Sequence, residues 1–234
     1  MINLGDISSG LNLFKMRKTI LLILGFIIVS TVYPQMGFKI GYNVSRFPPM
    51  RNLEIPAYNF NLDHPDAKSK LKVPQLADGW TFAWCIGDYG GMEIMWSNKS
   101  VTSSSRYTAG GIDSIAAIKY RYNSWSFGAF FPISEDHRIG MTLDIGNVSI
   151  MKKKGPTDSD SLEFTNFFSK EMTLGSTIYL SFSFPMTDGL SLSIRPYYQL
   201  VWLISKPEYN GNDYYFNFNN IGVSASILIG KGGN

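Results

Sequence analysis

Between Ser176 and Leu200 the chain alternates almost without a break. Ile178, Leu180, Phe182 and Phe184 share one face, and after a short turn Leu190, Leu192 and Ile194 share another. Serines, a threonine, a tyrosine and Arg195 stand between them. A period of two is the signature of a strand with one apolar face. The same pattern recurs from Met36 onward, with no convincing amphipathic helix and no repeat of solenoid length. Phe38, Ile40, Tyr42 and Val44 alternate with Lys39, Gly41, Asn43 and Ser45; Trp80, Phe82, Trp84 and Ile86 with Thr81, Ala83, Cys85 and Gly87. Met92, Ile94 and Trp96 flank Glu93, and Ile139, Met141, Leu143 and Ile145 flank Thr142 and Asp144. A long strand over about 114–132 carries Ile118, Tyr120 and Tyr122 on the apolar face, then Trp125, Phe127, Ala129 and Phe131. That change of phase near Asn123 predicts a bulge. Ile221, Val223, Ala225, Ile227 and Ile229 form the last strand, with another phase change near Asn219.

Eight strands result, and their connections alternate in length. Residues 47–77, 103–113, 152–168 and 206–213 read as longer polar loops, whereas "DYGG", "PISEDH" and "PMTDG" read as tight turns. Short turns at one end and long loops at the other, with apolar residues outward, describe a membrane-spanning barrel. The non-apolar face agrees. On a soluble exterior Gly41, Ala83, Gly87, Gly128, Gly140, Gly146, Gly175 and Gly222 would weaken strands without return. Inside a narrow barrel such residues make room. The expected fold is therefore all-β, an eight-stranded antiparallel up-and-down transmembrane β-barrel. Trp80, Trp96, Tyr120 and Trp202 are expected in an aromatic girdle at the loop end, and Phe38, Phe131 and Phe184 at the turn end. The alternative is a secreted lipocalin-like ligand-binding barrel, its apolar face turned inward. Pro196, mid-strand, calls for a local bulge.

Composition and the N-terminus place the chain. Of 234 residues, 15% are aromatic, 17% charged and 22 are glycine, which suits a turn-rich β protein rather than disorder. Arg17 and Lys18 precede an apolar run from Thr19 to Val32, the form of a secretory signal peptide and too short for a spanning helix. Residues 1–35 are read as that signal peptide, with Met16 the true start; 36–230 as the barrel; 231–234 as a short tail. The net charge of +3 falls to +1 without Lys15, Arg17, Lys18 and Asp6, so no nucleic-acid partner is indicated. A single cysteine, Cys85, excludes an internal disulfide.

"MGFKIGYNVSRF" resembles the first strand of the outer-membrane β-barrel domains common in Bacteroidota, including PorT-like proteins. "AIKYRYNSWSFGAFFPISEDHRIGMTLDIG" is similar to their central strand pair. Over about 36–230, the resemblance implies an eight-stranded barrel of OmpA-like architecture in a Gram-negative outer membrane. PorT-like members are associated with type IX secretion, so envelope or secretion proteins are the implied partners.

Charges inside a small barrel must pair. Lys39, Glu93, Lys119, Arg121, Asp144 and Arg195 are expected to form a lumen charge network, with Glu93 roughly opposite Asn123 and Arg121 diagonal to it. Lys152, Lys153 and Lys154 leave a strand at the outer surface and are candidate contacts for lipopolysaccharide phosphates. Catalysis is not expected. His137 lies in a tight turn, and His64, between Asp63 and Asp66, has no serine partner that can be placed beside it. No metal site or cofactor is expected either, because Asp63, His64 and Asp66 lack a further spaced ligand. The expected role is that of a monomeric, non-enzymatic outer-membrane protein, structural or interacting, with outer-membrane lipid and lipopolysaccharide around it. A narrow pore and a lipid-modifying enzyme are the alternatives.

Overall fold

The structure, a computed structural model, describes residues 36–48, 51–87, 90–157, 163–203, 208–209, 212–213 and 218–230. Residues 1–35, expected to be a signal peptide, and 231–234, expected to be a tail, lie outside the described residues. Strands β1 (Met36–Arg46), β2 (Leu76–Ile86), β3 (Gly91–Ala109), β4 (Ile112–Pro132), β5 (His137–Pro156), β6 (Thr165–Thr187), β7 (Leu190–Leu203) and β10 (Asn220–Ile229) close into one barrel. Its order is β1-β10-β7-β6-β5-β4-β3-β2, every pair antiparallel. The two-residue strands β8 (Glu208–Tyr209) and β9 (Asn212–Asp213) pair only with each other, outside it. Helix α1 (Arg51–Asp63) lies between β1 and β2.

The apolar faces point outward. Exposed large side chains stand on all eight barrel strands, among them Val44, Trp80, Ile94, Phe127, Leu143, Ile178, Trp202 and Val223. The alternate positions, Ser126, Thr142, Ser193 and Ser226 among them, are buried inside. In water so continuous an apolar surface would aggregate. In a bilayer it matches the hydrocarbon, and closure leaves no unpaired edge within the barrel wall. The chain is an outer-membrane-type transmembrane β-barrel, not a lipocalin-like one. Among the described residues no helix is long and apolar enough to cross a membrane; the crossing is made by strands.

The strands are unequal. A strand needs about 9–11 residues to cross a bilayer. β1, β2, β7 and β10 have 11, 11, 14 and 10, but β3 to β6 have 19, 21, 20 and 23. Half of the barrel wall therefore stands beyond the bilayer, at the end opposite the short turns. The expected loop 103–113 is part of that wall. β3 and β4 stay in register to Ala109↔Ile112 and turn on Gly110 and Gly111, both at positive φ (58° and 79°). Two consecutive residues at positive φ make the hairpin turn whose twist matches its strands. Likewise β5 continues through Pro156, into the segment expected to be a loop.

Two expected bulges are absent. β4 keeps one register with β3 and with β5 across Asn123, and its even-numbered side chains from Ser114 to Ser126 are all buried. Pro196 stands opposite Val223, and the β6–β7 pairing passes from Tyr179↔Tyr197 to Phe182↔Ile194 without a shift. The irregular steps lie elsewhere, around Ile150 in the β5–β6 pairing and between Pro185 and Thr187.

Candidate functional site

The turn-end half of the lumen is filled by charges held over tyrosines, and the tyrosines are admitted by glycines. Gly140 pairs with Tyr179 across β5 and β6, and Gly222 with Tyr197 across β10 and β7. A Cβ at Gly140 would lie 2.2 Å from Tyr179 Cζ, and one at Gly222 2.5 Å from Tyr197 Cζ. Each ring thus occupies the space that a Cβ at the glycine would take. The Arg195 guanidinium carbon sits 4.0 Å from the Tyr179 ring centroid, and Lys99 Nζ 4.6 Å from that of Tyr197. Both contacts are cation–π distances.

Two polar clusters follow from these stacks. In the first, Arg195 donates from Nη1 to Glu93 Oε1 (2.5 Å) and from Nη2 to Glu93 Oε2 (2.6 Å). Lys39 reaches the same carboxylate at 3.4 Å, and the Cys85 thiol donates to it at 3.5 Å. All four side chains are buried. In the second, Asp144 accepts hydrogen bonds from Thr142 (2.7 Å), Thr177 (2.5 Å) and Gln199 Nε2 (2.7 Å). Gln199 Oε1 in turn accepts from Lys99 (3.1 Å) and Asn220 (3.0 Å), so one amide joins the carboxylate to the ammonium. Lys99 also donates to Asn220 Oδ1 at 3.0 Å. Between the clusters a cavity of about 20 Å³, bordered by Asn43, Ser97, Lys99 and Thr177, has room for a single water.

Of the six residues expected in the lumen, Lys39, Glu93, Asp144 and Arg195 are there. Lys119 and Arg121 are not. They occupy the odd-numbered face of β4, which is outward, and Arg121 is exposed. Glu93 stands opposite Gly128 rather than Asn123, which pairs with Asn98. The cause is the unbroken register of β4: with no bulge at Asn123, Tyr120 and Tyr122 face inward at 1% exposure and the basic residues between them face out. Tyr120 is accordingly no part of an outer girdle. Trp80 and Trp202 do face outward, and Phe82 meets Trp96 at 5.6 Å. Lys99, Gln199 and Asn220 were missed, although Lys99 lies six residues beyond Glu93 on the same face of β3.

Lys152, Lys153 and Lys154 divide between the faces of β5. Lys153 is outward with Phe164 at 5.9 Å; Lys154 stands 5.7 Å from the Phe60 ring and 5.8 Å from Tyr107, on the side of α1.

The upper lumen is closed by protein. Ala57 and Phe60 of α1, with Phe47 and Leu71 beside them, pack on Tyr107, Ile118 and Tyr120 of the tall strands in one buried cluster. Phe47 meets Tyr120 edge-on at 4.8 Å, Phe218 stacks on Tyr120 at 5.7 Å, and Phe60 meets Tyr107 at 5.3 Å. Asn61 bridges the segment to itself, donating to the Leu71 carbonyl (3.0 Å) and accepting from the Leu71 amide (2.8 Å). The Lys68 amide donates to the Arg106 carbonyl (2.9 Å), and the Ser105 hydroxyl to the Ser69 carbonyl. His64 packs in this cap with its ring tilted against both neighbours, 4.8 Å from Phe60 and 4.2 Å from Tyr107. His137 bonds Ser134 across its turn at 2.6 Å. Among the described residues no group of three His, Cys, Asp or Glu side chains is placed to hold a metal.

No protein-family model matches this chain, and no curated protein sequence matches it. Among solved structures it is similar to Ail, the attachment invasion locus protein of Yersinia pestis, in complex with the heparin analogue sucrose octasulfate. That likeness has 12% identity, covers 83% of this chain and 95% of Ail, and has a TM-score of 0.45. It is also similar to the outer-membrane protein OprG from Pseudomonas aeruginosa (9% identity, 85% of this chain and 95% of that one, TM-score 0.37). The translocator domain of the autotransporter NalP from Neisseria meningitidis is a third (10%, 96% and 97%, TM-score 0.29). At these identities and TM-scores, the barrel rests on this chain's own strand pairing.

Proposed function

We propose that this chain is a non-enzymatic, non-conducting monomer of the outer membrane whose role is interaction at its extracellular end. The observation that carries this reading is the cap: α1 buries Ala57 and Phe60 on the lumen side while Tyr58 and Leu62 remain 63% and 60% exposed on the other. Residues four apart share a helix face, so these two make one apolar step outside the bilayer, where hydrocarbon cannot cover it. Long loops in compact domains are usually functional or disordered, and this connection carries the ordered helix α1. The lumen beneath is occupied by the Glu93 and Asp144 clusters, which favours a plug over a passage. The PorT-like character of the strand motifs is in keeping with envelope or secretion proteins as partners, reached after export and cleavage close to Met36.

A photo-cross-linking residue at position 58, used in intact cells, tests the reading. A discrete adduct that is lost when Leu62 is replaced by serine is expected. Stable conductance of the purified protein in planar bilayers, with no adduct, would put the narrow pore ahead. Turnover of a lipid substrate that falls when His64 is replaced would favour the enzyme.

A further inference from the structure

The lumen carries more positive than negative charge. Among the described residues its buried cations are Lys39, Lys99, Arg138 and Arg195, and its buried carboxylates are Glu93 and Asp144. With Arg138 set aside at the turn-end mouth, three cations still stand against two carboxylates. Glu93 already serves two of them, Arg195 and Lys39. Among the described residues Lys99 has no salt bridge. It donates to two neutral amide oxygens, of Gln199 and Asn220, and its ammonium has a third N–H to place. Burying charge is costly unless it is balanced, so a positive surplus in a filled lumen draws an anion.

The cavity of about 20 Å³ between the two polar clusters has the lining for one. Lys99 of β3 and Arg195 of β7 border it from opposite sides of the barrel, and neither Glu93 nor Asp144 borders it. Glu93 and Met95 Sδ engage three of the five guanidinium N–H groups of Arg195, which leaves donors to spare. Ser97, Ser124 and Ser224 add hydroxyls from β3, β4 and β10. Asn43 Nδ2 donates to Ser97 Oγ at 3.4 Å, so the Ser97 proton is available to another acceptor. Among the described residues the lining offers one acceptor-only oxygen without a partner, Asn43 Oδ1. Many donors, two cations and few acceptors suit an anion better than water, which brings no charge. One water-sized particle needs about 10–15 Å³, so this space admits a monatomic ion and no polyatomic one. We propose that the lumen binds one chloride ion between Lys99 and Arg195, as a working part of the plug. The ion joins β3 and β4 to β7 and β10, and so fastens opposite walls of the barrel to each other.

The test unfolds the full barrel with urea in uncharged micelles, exchanging sodium gluconate for sodium chloride at constant ionic strength, which holds general screening fixed. Once chloride exceeds its dissociation constant, the folded-to-unfolded ratio should rise about tenfold for each tenfold rise in chloride, the slope of one bound ion. Bromide should substitute for chloride, and crystals grown in bromide should show its anomalous signal between Lys99 and Arg195. Lys99→Met should abolish the chloride slope, whatever it does to stability itself. Ser124→Val, which fills the cavity and keeps both cations, should abolish it too, and it serves alone if Lys99→Met does not fold. Stability of the unaltered protein that ignores chloride would overturn the proposal, as would a slope that survives in either variant. A bromide-free cavity holding a water bonded to Asn43 Oδ1 would overturn it in favour of water.

Discussion

Both terminal nitrogens of Arg195 meet both carboxylate oxygens of Glu93, at 2.5 and 2.6 Å, across 102 positions of chain. The pair joins β7 to β3 through the lumen, and Lys39 of β1 adds a third charge at 3.4 Å. Removing the carboxylate leaves two buried cations facing each other, whereas removing an exposed acid leaves nothing uncompensated. Breaking a buried pair costs about 3–5 kcal/mol. Glu93→Ala should therefore lower the urea midpoint of unfolding in micelles sharply, while Glu163→Ala, at an exposed site, should change it by no more than about 0.5 kcal/mol. Tryptophan fluorescence measures both. Equal midpoints would mean that water already solvates the lumen.

Arg195 is positioned by the ring beneath it, and that ring by Gly140. Gly140→Ala places a methyl group 2.2 Å from Tyr179 Cζ, so the ring must shift and with it the Arg195 guanidinium 4.0 Å from its centroid. Overpacking of this kind costs about 1–3 kcal/mol. Tyr179→Leu removes the clash, so in a double-mutant cycle the alanine should cost little when leucine is already present. Additive losses would show that the ring moves freely.

The sequence made the membrane-spanning half of the barrel legible and misread the half above it, for one physical reason. In the bilayer, outward positions are apolar and inward ones small or polar. That rule places Ile178 and Leu180 outward, and Lys39, Glu93, Asp144 and Arg195 inward. Beyond Asn98, Asn123 and Asn147, paired in line on β3, β4 and β5, the outside is water and the inside is a capped apolar core, so the same alternation carries the opposite meaning. Tyr120 and Tyr122 face in there, and Lys119 and Arg121 face out. Reading apolar as outward throughout required a phase change at Asn123. The strand makes none; its surroundings change. Helix α1 was hidden differently. It contains Pro56 and a weak apolar stripe, and its stability comes from packing on Tyr107 and Ile118, partners about 50 residues or more away that no local pattern reveals. The serine run 103–105, at the start of the expected loop 103–113, reads as a loop, but pairing with β4 gives its backbone a ladder.

The plugged lumen predicts electrical silence. The described lumen holds Glu93, Arg195, Lys39, Asp144, Lys99 and Gln199 in direct contact, with about 20 Å³ free between the clusters. Eight strands enclose an interior that side chains can fill. The purified protein should give no stable steps in planar bilayers. Replacing Gln199 with alanine, which separates Asp144 from Lys99 and Asn220, is the variant expected to introduce flickering conductance if any single change does. Large, steady conductance from the unaltered protein would contradict this packing.

The cap should be a barrier to proteases that one residue controls. Between α1 and β2, Lys68, Lys70 and Lys72 are exposed, so trypsin applied to intact cells meets susceptible bonds on an extracellular segment. Cleavage requires the backbone to be extended and free, yet the Lys68 amide is bonded to Arg106 and Leu71 is held at both backbone groups by Asn61. The segment must open locally first, and the cost of opening is set largely by Phe60, 7% exposed against Tyr107 and His64. Truncating a buried phenylalanine costs about 3–5 kcal/mol. If about 3 kcal/mol of that falls on the local opening, Phe60→Ala should speed tryptic cleavage on the order of 100-fold when opening is in rapid equilibrium. Asn61→Ala should act in the same direction by less, since it removes two hydrogen bonds of about 1 kcal/mol each. The barrel's unfolding midpoint should move little in either variant, because the cap opens without the strands. Cleavage seen only after cell lysis would place the segment on the periplasmic side and reverse the orientation of the whole barrel.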